Sequence, residues 1–171
     1  ESPKDEESIN AKLLIRGGFV SKVMAGVFEF MPLGWRVLDK INNIIREEMN
    51  AVGGQEMFMS VFQDREVWSK TGRWDEASKV MYQFKDDADR EYGLGFTHEE
   101  PITVAASRFI NSYKDLPKAV YQIQTKFRNE PRAKSGILRG REFLMKDLYS
   151  FHATQEDLDE YYEKVATSYM K

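Results

Sequence analysis

Residues 126–130 (KFRNE) and 139–143 (RGREF), joined by the loop 131–138 (PRAKSGIL), decide how this chain folds. The first segment closes a run of period-two alternation. Tyr121, Ile123, Thr125 and Phe127 point one way, and Gln122, Gln124, Lys126 and Arg128 the other. That period marks a strand whose two faces meet different surroundings. A proline, a glycine and two cations, Arg132 and Lys134, suit the loop to a hairpin connection. Glu142–Phe151 (EFLMKDLYSF) then returns as a second extended run. Arg128, Glu130, Arg139, Arg141 and Glu142 thereby gather around one patch, and burying so many charges without a ligand is costly. A phosphorylated ligand fits, because a guanidinium presents a planar two-donor fork to phosphate oxygens and keeps its charge. Glu130 can accept from the amino group of a base, and Phe143 can offer its ring to a flat heterocycle. Spacing alone leaves a second reading open: cross-strand ion pairs on a solvated sheet, at about 0–1 kcal/mol each.

Outward from this pair, helices and short strands follow without βαβ alternation. Ser2-Pro3 reads as a helix start, with Ile9, Leu13 and Arg16 on one side and Gly17-Gly18 as its end. Residues 19–31 read as two short strands, or a loop and a strand, before Pro32. A long helix from Gly34 carries Val37, Leu38, Ile41, Ile44, Ile45, Met49 and Val52 at helical spacing and stops at Gly53-Gly54. Residues 55–62 (QEMFMSVF) read as one strand, Asp64 as the cap of a short helix with Val67 and Trp68, and Gly72-Arg73-Trp74 as a turn. Residues 80–84 and 91–96 flank an acidic turn and read as a hairpin. A helix over 100–112 turns Ile102, Ala105, Ala106 and Phe109 inward, and a last helix, capped by Thr154, places Leu158, Tyr161, Tyr162, Val165 and Tyr169 on one stripe. The fold class is α+β, an antiparallel sheet flanked by helices.

A second constellation, Thr97-His98-Glu99-Glu100-Pro101, lies between a strand and a helix. A hydroxyl and a carboxylate two residues apart can receive a protonated amine. Equally, Thr97 can cap the helix while both glutamates complement its dipole. The tryptophans in residues 68–74 read as packing, and His98 and His152, the two histidines, do not make a metal site. With 171 residues, 42% hydrophobic and 31% charged, the chain can build a real core. A net charge of −3 argues against nucleic-acid binding by bulk charge, and no cysteine means no disulfide or thiolate site. No apolar run reaches a membrane span, and neither G-x-x-x-x-G-K-[ST] nor G-x-G-x-x-G is present, so a bound nucleotide would be held on a sheet by side chains. The first residue is Glu and a helix runs to the last, so a piece of a longer protein is expected.

Taken together, these segments resemble the class II aminoacyl-tRNA synthetases, most closely the bacterial-type prolyl branch, over nearly the whole chain. Residues 126–143 are similar to that family's motif 2, residues near 44–62 to its motif 1, and residues 97–101 to its proline-recognition loop; 139–152 (RGREFLMKDLYSFH) is specific to the prolyl branch, and 71–74 is shared with threonyl enzymes. The resemblance implies a homodimeric, cytoplasmic ligase that activates proline with ATP and Mg²⁺ to prolyl-adenylate, releases pyrophosphate and charges tRNA(Pro). It implies that Arg128 grips the α-phosphate and Arg139 the γ-phosphate, that Glu130 meets the adenine amino group and that Phe143 stacks on adenine. Thr97 and Glu99 would hold the secondary ammonium of proline, with Arg128, Tyr149 and His152 at the same pocket. Three departures stand out: Ser60 where motif 1 ends in proline, Phe96 where a proline precedes Thr97, and no motif 3. The last implies a fragment that is incomplete as a catalyst. The rival readings are a non-catalytic synthetase-like binding module and a class II synthetase for another small amino acid such as threonine.

Overall fold

In the computed structural model, which describes residues 6–131 and 136–171, the two segments quoted first are the middle of the molecule. Strands β7 (Lys118–Phe127) and β8 (Glu142–Phe151) pair antiparallel in unbroken register, from Lys118 opposite Phe151 to Phe127 opposite Glu142. Facing residues share a side of the sheet. Val120, Gln122, Gln124 and Lys126 therefore lie with Tyr149, Asp147, Met145 and Phe143. Tyr121 and Ile123, on the other side, lie with Leu148 and Lys146 and face helices. There the Tyr121 hydroxyl donates to Asn50 Oδ1 at 2.9 Å on α2 (Pro32–Ala51), and Lys146 meets Tyr169 just past α6 (Gln155–Ser168). The alternation is confirmed, with one change of meaning. The polar side is not solvated: Gln122, Gln124 and Lys126 are all buried.

That burial explains why residues 55–62 are not one strand. Only β3 (Gln55–Glu56) pairs with β7, and in parallel. Beyond it the Gln122 and Gln124 side chains take over the backbone: Met59 N–H donates to Gln122 Oε1 at 3.3 Å, and Gln124 Nε2 donates to the Met59 carbonyl at 2.7 Å. Buried amides so satisfied remove the need for a ladder. The chain then enters a second antiparallel sheet, ordered β4 (Phe62–Asp64), β6 (Glu91–Leu94), β5 (Gln83–Lys85). The expected hairpin 80–84/91–96 is its β5–β6 half.

The N-terminal helix α1 (Ile9–Arg16) ends at Gly17-Gly18 as expected; its proposed start at Ser2-Pro3, and the loop cations Arg132 and Lys134, lie outside the described residues. A hairpin follows, β1 (Val20–Met24) with β2 (Val27–Phe30). Asp64 does cap α3 (Arg65–Ser69), accepting from Glu66 N–H at 2.9 Å. The expected turn at Gly72-Arg73-Trp74 is instead the start of α4 (Arg73–Ala77), reached through Gly72 at φ 72°. Burial drives it: Trp74 and Ala77 close a cluster with Trp68 and Met81. Helix α5 (Glu99–Ala106) stops short of 112, because Ser112 caps a separate 3₁₀ turn at Tyr113–Asp115, and this leaves Phe109 37% exposed rather than inward. On α6 only Leu158, Tyr161 and Val165 of the expected stripe are half-buried; Tyr162 and Tyr169 are exposed, Tyr169 meeting the sheet through Lys146.

Candidate functional site

The polar side of β7–β8 receives the segment between β6 and α5. Phe127 N–H donates to the Gly95 carbonyl at 3.0 Å, and a Cβ at Gly95 would lie 2.8 Å from His98 Cε1, so glycine permits the close approach. Phe96 packs its ring on Trp68, centroids 5.2 Å apart. Trp68 Nε1 donates to Gln63 Oε1 at 2.7 Å, and Gln63 Nε2 donates to the Thr97 carbonyl at 3.1 Å. Core packing thus extends up to the segment's backbone. Thr97 does not cap α5: the N-cap position is His98, with no side-chain cap. The Thr97 hydroxyl instead donates to Glu99 Oε2 at 2.5 Å, which sets hydroxyl and carboxylate side by side. The two glutamates part company here. Glu99 is exposed, whereas Glu100 is buried, accepting from Arg73 Nη1 at 2.7 Å and the Thr71 hydroxyl at 3.1 Å.

Arg128 joins the two constellations. Its guanidinium Nε and Nη2 both lie 3.4 Å from the carbonyl of Phe96, one residue before Thr97, and its centre is 5.3 Å from the Phe143 ring. No carboxylate among the described residues pairs with it. Arg139 does pair, Nη2 to Glu130 Oε2 at 2.8 Å. For these two side chains the surface ion pair is what the structure shows. Arg141 is spent on structure. Its Nε donates to the Glu130 carbonyl at 3.0 Å, its Nη1 to the Ala25 carbonyl at 3.2 Å, and its N–H to the Gly26 carbonyl at 2.6 Å, latching the β1–β2 turn to the arginine loop.

Of Tyr149 and His152, the first is beside the Thr97–Glu99 segment. The Tyr149 hydroxyl donates to Asp147 Oδ2 at 2.8 Å and accepts from His98 N–H at 3.1 Å; burial pushes its pKa upward. His152 is not. It follows the strand on the helix side, its Nδ1 2.7 Å from Asp157 Oδ2 and its ring 5.3 Å from Tyr161. Strand parity sets this: three residues after Tyr149, a side chain points to the opposite face. The same Asp157 contact uses up the carboxylate that would complete a capping box with Thr154, which keeps only the Asp157 N–H bond at 3.2 Å.

Sequence reasoning missed Lys126, His98 and Asp147 as a unit. Lys126, fully buried, donates to Asp147 Oδ2 at 2.9 Å and lies 2.5 Å from His98 Nδ1. His98 Nε2 is 3.0 Å from the Ser60 carbonyl, which can only accept. The imidazole proton therefore sits on Nε2, and Nδ1 accepts from the ammonium. Burial first, then the neighbouring Lys126, lowers the His98 pKa; burial lowers that of Lys126 while Asp147 opposes. The available signal was a lysine on the same strand face as Gln122 and Gln124, opposite an apolar face.

The paired strands with Arg128 and Arg139 at their end, and the Thr97–Glu99 segment beside them, point to the core domain of a class II tRNA synthetase. A profile of that family, "tRNA synthetase class II core domain (G, H, P, S and T)", matches residues 82–171, and the chain belongs to it. Among curated relatives, the Proline--tRNA ligase of Coprothermobacter proteolyticus is 50% identical over 171 residues, covering 100% of this chain and 31% of the relative. That of Thermotoga maritima is 48% identical, with 100% and 30% covered. The chain thus spans about a third of the length of these relatives. Among solved structures, Giardia lamblia prolyl-tRNA synthetase in complex with prolyl-adenylate superposes with a TM-score of 0.79 at 23% identity, covering 91% of this chain and 34% of that one. The Cryptosporidium parvum enzyme complexed with L-proline and AMP gives 0.78 at 17%, covering 91% and 31%. These two show a shared fold.

Proposed function

We propose that this chain is the part of a proline–tRNA ligase that receives ATP and proline for adenylate formation. One observation carries the reading: the Arg128 guanidinium rests on the Phe96 carbonyl, so a phosphate-binding cation stands beside the Thr97–Glu99 pair. In the reaction a proline carboxylate oxygen attacks the α-phosphorus, the bond to the bridging oxygen breaks, and pyrophosphate leaves. No side chain need act as nucleophile. The protein supplies position and charge. Arg128 binds the α-phosphate and stabilises charge gathering on its oxygens. Thr97 and Glu99 take the two N–H donors of the secondary ammonium, a hydroxyl and a carboxylate for one cation with two protons. Tyr149 closes the pocket from β8. Glu130 and Arg139 release one another to meet the adenine amino group and the γ-phosphate, and Phe143 turns its ring to adenine.

Mg²⁺ accompanies ATP in this proposal. The ion's ligands would be phosphate oxygens, as Mg²⁺ usually binds through substrate phosphates. Transfer to tRNA(Pro), a homodimer and a cytoplasmic location complete the reading. The homodimer draws support from apolar side chains left outside: Trp35, Val37, Ile41 and Ile44 along α2 and Phe58, which is 81% exposed. No helix among the described residues is long and apolar enough to cross a membrane.

Pyrophosphate exchange by the full-length enzyme, measured across the amino acids, tests this. Exchange that depends on proline is expected. Exchange that follows threonine, or no amino acid, refutes it in favour of the rival enzyme or of a binding module.

A further inference from the structure

We propose, building on that reading, that Lys126 is a positioning residue for amino-acid recognition: its buried ammonium bridges His98 and Asp147 and so fixes the Thr97–Glu99 segment and the Tyr149 hydroxyl at one spacing. The hydrogen bonds close a ring. Lys126 donates to Asp147 Oδ2, Tyr149 donates to the same oxygen at 2.8 Å, His98 N–H donates to Tyr149 at 3.1 Å, and His98 Nδ1 returns to Lys126. Gln122 Nε2 adds a third donor to Asp147 Oδ2 at 2.9 Å. His98 is thereby held at three atoms: its backbone nitrogen, Nδ1, and Nε2 on the Ser60 carbonyl. It sits between Thr97 and Glu99, the two side chains assigned to the amine. The backbone that carries them cannot move at His98 without straining the ring.

A lysine with no exposed surface is an expensive way to fill a strand position. Apolar packing would hold the sheet as well, but it would not hold the segment. The ion pair with Asp147 also cancels the lysine charge, so the ring does not repel an arriving ammonium. Rigid spacing of two recognition groups raises affinity for the ligand that matches it, because the segment loses no freedom on binding.

Lys126→Met in the full-length enzyme keeps the length and removes every donor. In pyrophosphate exchange it should raise the KM for proline ~30-fold, the order expected for losing charge-assisted hydrogen bonds, and leave the KM for ATP unchanged within about two-fold. It should also steepen the pH dependence. The groups facing His98 are Lys126, Asp147, Tyr149, Glu99 and the Ser60 carbonyl. Without the cation, Nδ1 is free beside Asp147 and Glu99 and takes up a proton more readily. The proline KM should then climb on the acid side more steeply than in the parent enzyme. Should Lys126→Met fold poorly with Asp147 left unpaired, Lys126→Met/Asp147→Asn removes both charges and should show the same KM split. Proline and ATP parameters that fall together, or that do not change in either variant, overturn the positioning role while proline exchange by the parent leaves the functional reading standing. No proline exchange by the parent overturns both.

Discussion

Arg128→Ala separates folding from chemistry, because the structure gives this side chain little to hold together. Its contacts with the Phe96 carbonyl are long, 3.4 Å, and its centre is 5.3 Å from the Phe143 ring. A cation over an aromatic ring at a partly exposed place contributes ~0.5–1 kcal/mol, and hydrogen bonds at that length add less than the usual ~1 kcal/mol. Truncation should therefore cost about 1–2 kcal/mol of stability, against a total of ~5–15 kcal/mol for a typical domain, and the variant stays folded. If Arg128 acts as proposed, the same deletion removes a donor aimed at charge that develops on the α-phosphate, worth ~2.7–4 kcal/mol, or 10²–10³ in rate. Proline-dependent ATP–pyrophosphate exchange by the full-length enzyme should fall by that factor while its circular dichroism stays that of the parent and its urea midpoint drops by only about 0.5–1 M. Arg128→Lys keeps the charge but loses the planar fork, and should sit between, roughly ten-fold down. An unchanged exchange rate in Arg128→Ala, or a loss matched by unfolding, refutes the assignment.

Glu99→Gln should raise the KM for proline ~10–100-fold and leave that for ATP alone, since one charged contact to the amine is lost; equal weakening of both in exchange assays would remove Glu99 from the amine site. Trp68→Phe removes the Nε1 donor that holds Gln63, and through it the Thr97 carbonyl. It should cost about 1–3 kcal/mol in urea denaturation, and Trp68→Ala about 3–5 kcal/mol; a neutral Trp68→Phe would show that the Gln63 link is idle. His98 makes acid stability sensitive. Its folded pKa lies below the ordinary value, by burial and then by Lys126. Between that value and ~6.5 the unfolded chain binds the extra proton. The contribution is thus complete above ~6.5 and lost as pH falls through the folded-state pKa. The urea midpoint of His98→Gln should decline less steeply below pH 6.5 than that of the parent, and parallel profiles would contradict this.

How far the sequence could be read follows from which signals are local. Glu142–Phe151 was legible to the residue, and the 121–128 alternation came within a few residues of the strand Lys118–Phe127, because strand periodicity is written in neighbouring positions. So were the caps at Asp64 and Thr154. The break of 55–62 after Glu56 was not. It depends on Gln122 and Gln124, which are some sixty residues away along the chain and look from sequence like ordinary solvent-facing amides. The helix at Arg73 was hidden for a similar reason: Gly72 reads as a turn, and only the cluster of Trp68, Trp74 and Met81 shows why the chain coils straight after it. Arg128 and Tyr149 both reach the backbone of residues 96–98, beside Thr97 and Glu99, a nearness that periodicity alone did not give. His152 was misplaced by proximity in sequence, which strand parity overrides. Lys126 was read as one more cation beside Arg128, yet one side chain is sealed in and the other reaches a carbonyl at the rim.

The distribution of ion pairs gives the site a polarity. Lys126 is paired with Asp147, Arg139 with Glu130 and Glu100 with Arg73. Among the described members of the candidate set, Arg128 and Glu99 carry charge with no ionic partner. A cation at the strand end and an anion at the start of α5 match a pair of ligands whose phosphate is negative and whose amine is positive. The remaining pairs differ in what binding asks of them. Glu130 and Arg139 must part if each is to meet ATP, and Arg139 is 64% exposed, so their contact is worth only about 0–1 kcal/mol and opens at little cost. Lys126 and Asp147 must stay together if Thr97 and Glu99 are to keep their spacing. With the lysine side chain at 0% exposure and the carboxylate at 12%, breaking that contact would strand a charge away from water. The pair that has to yield is the wet one, and the pair that has to hold is the dry one.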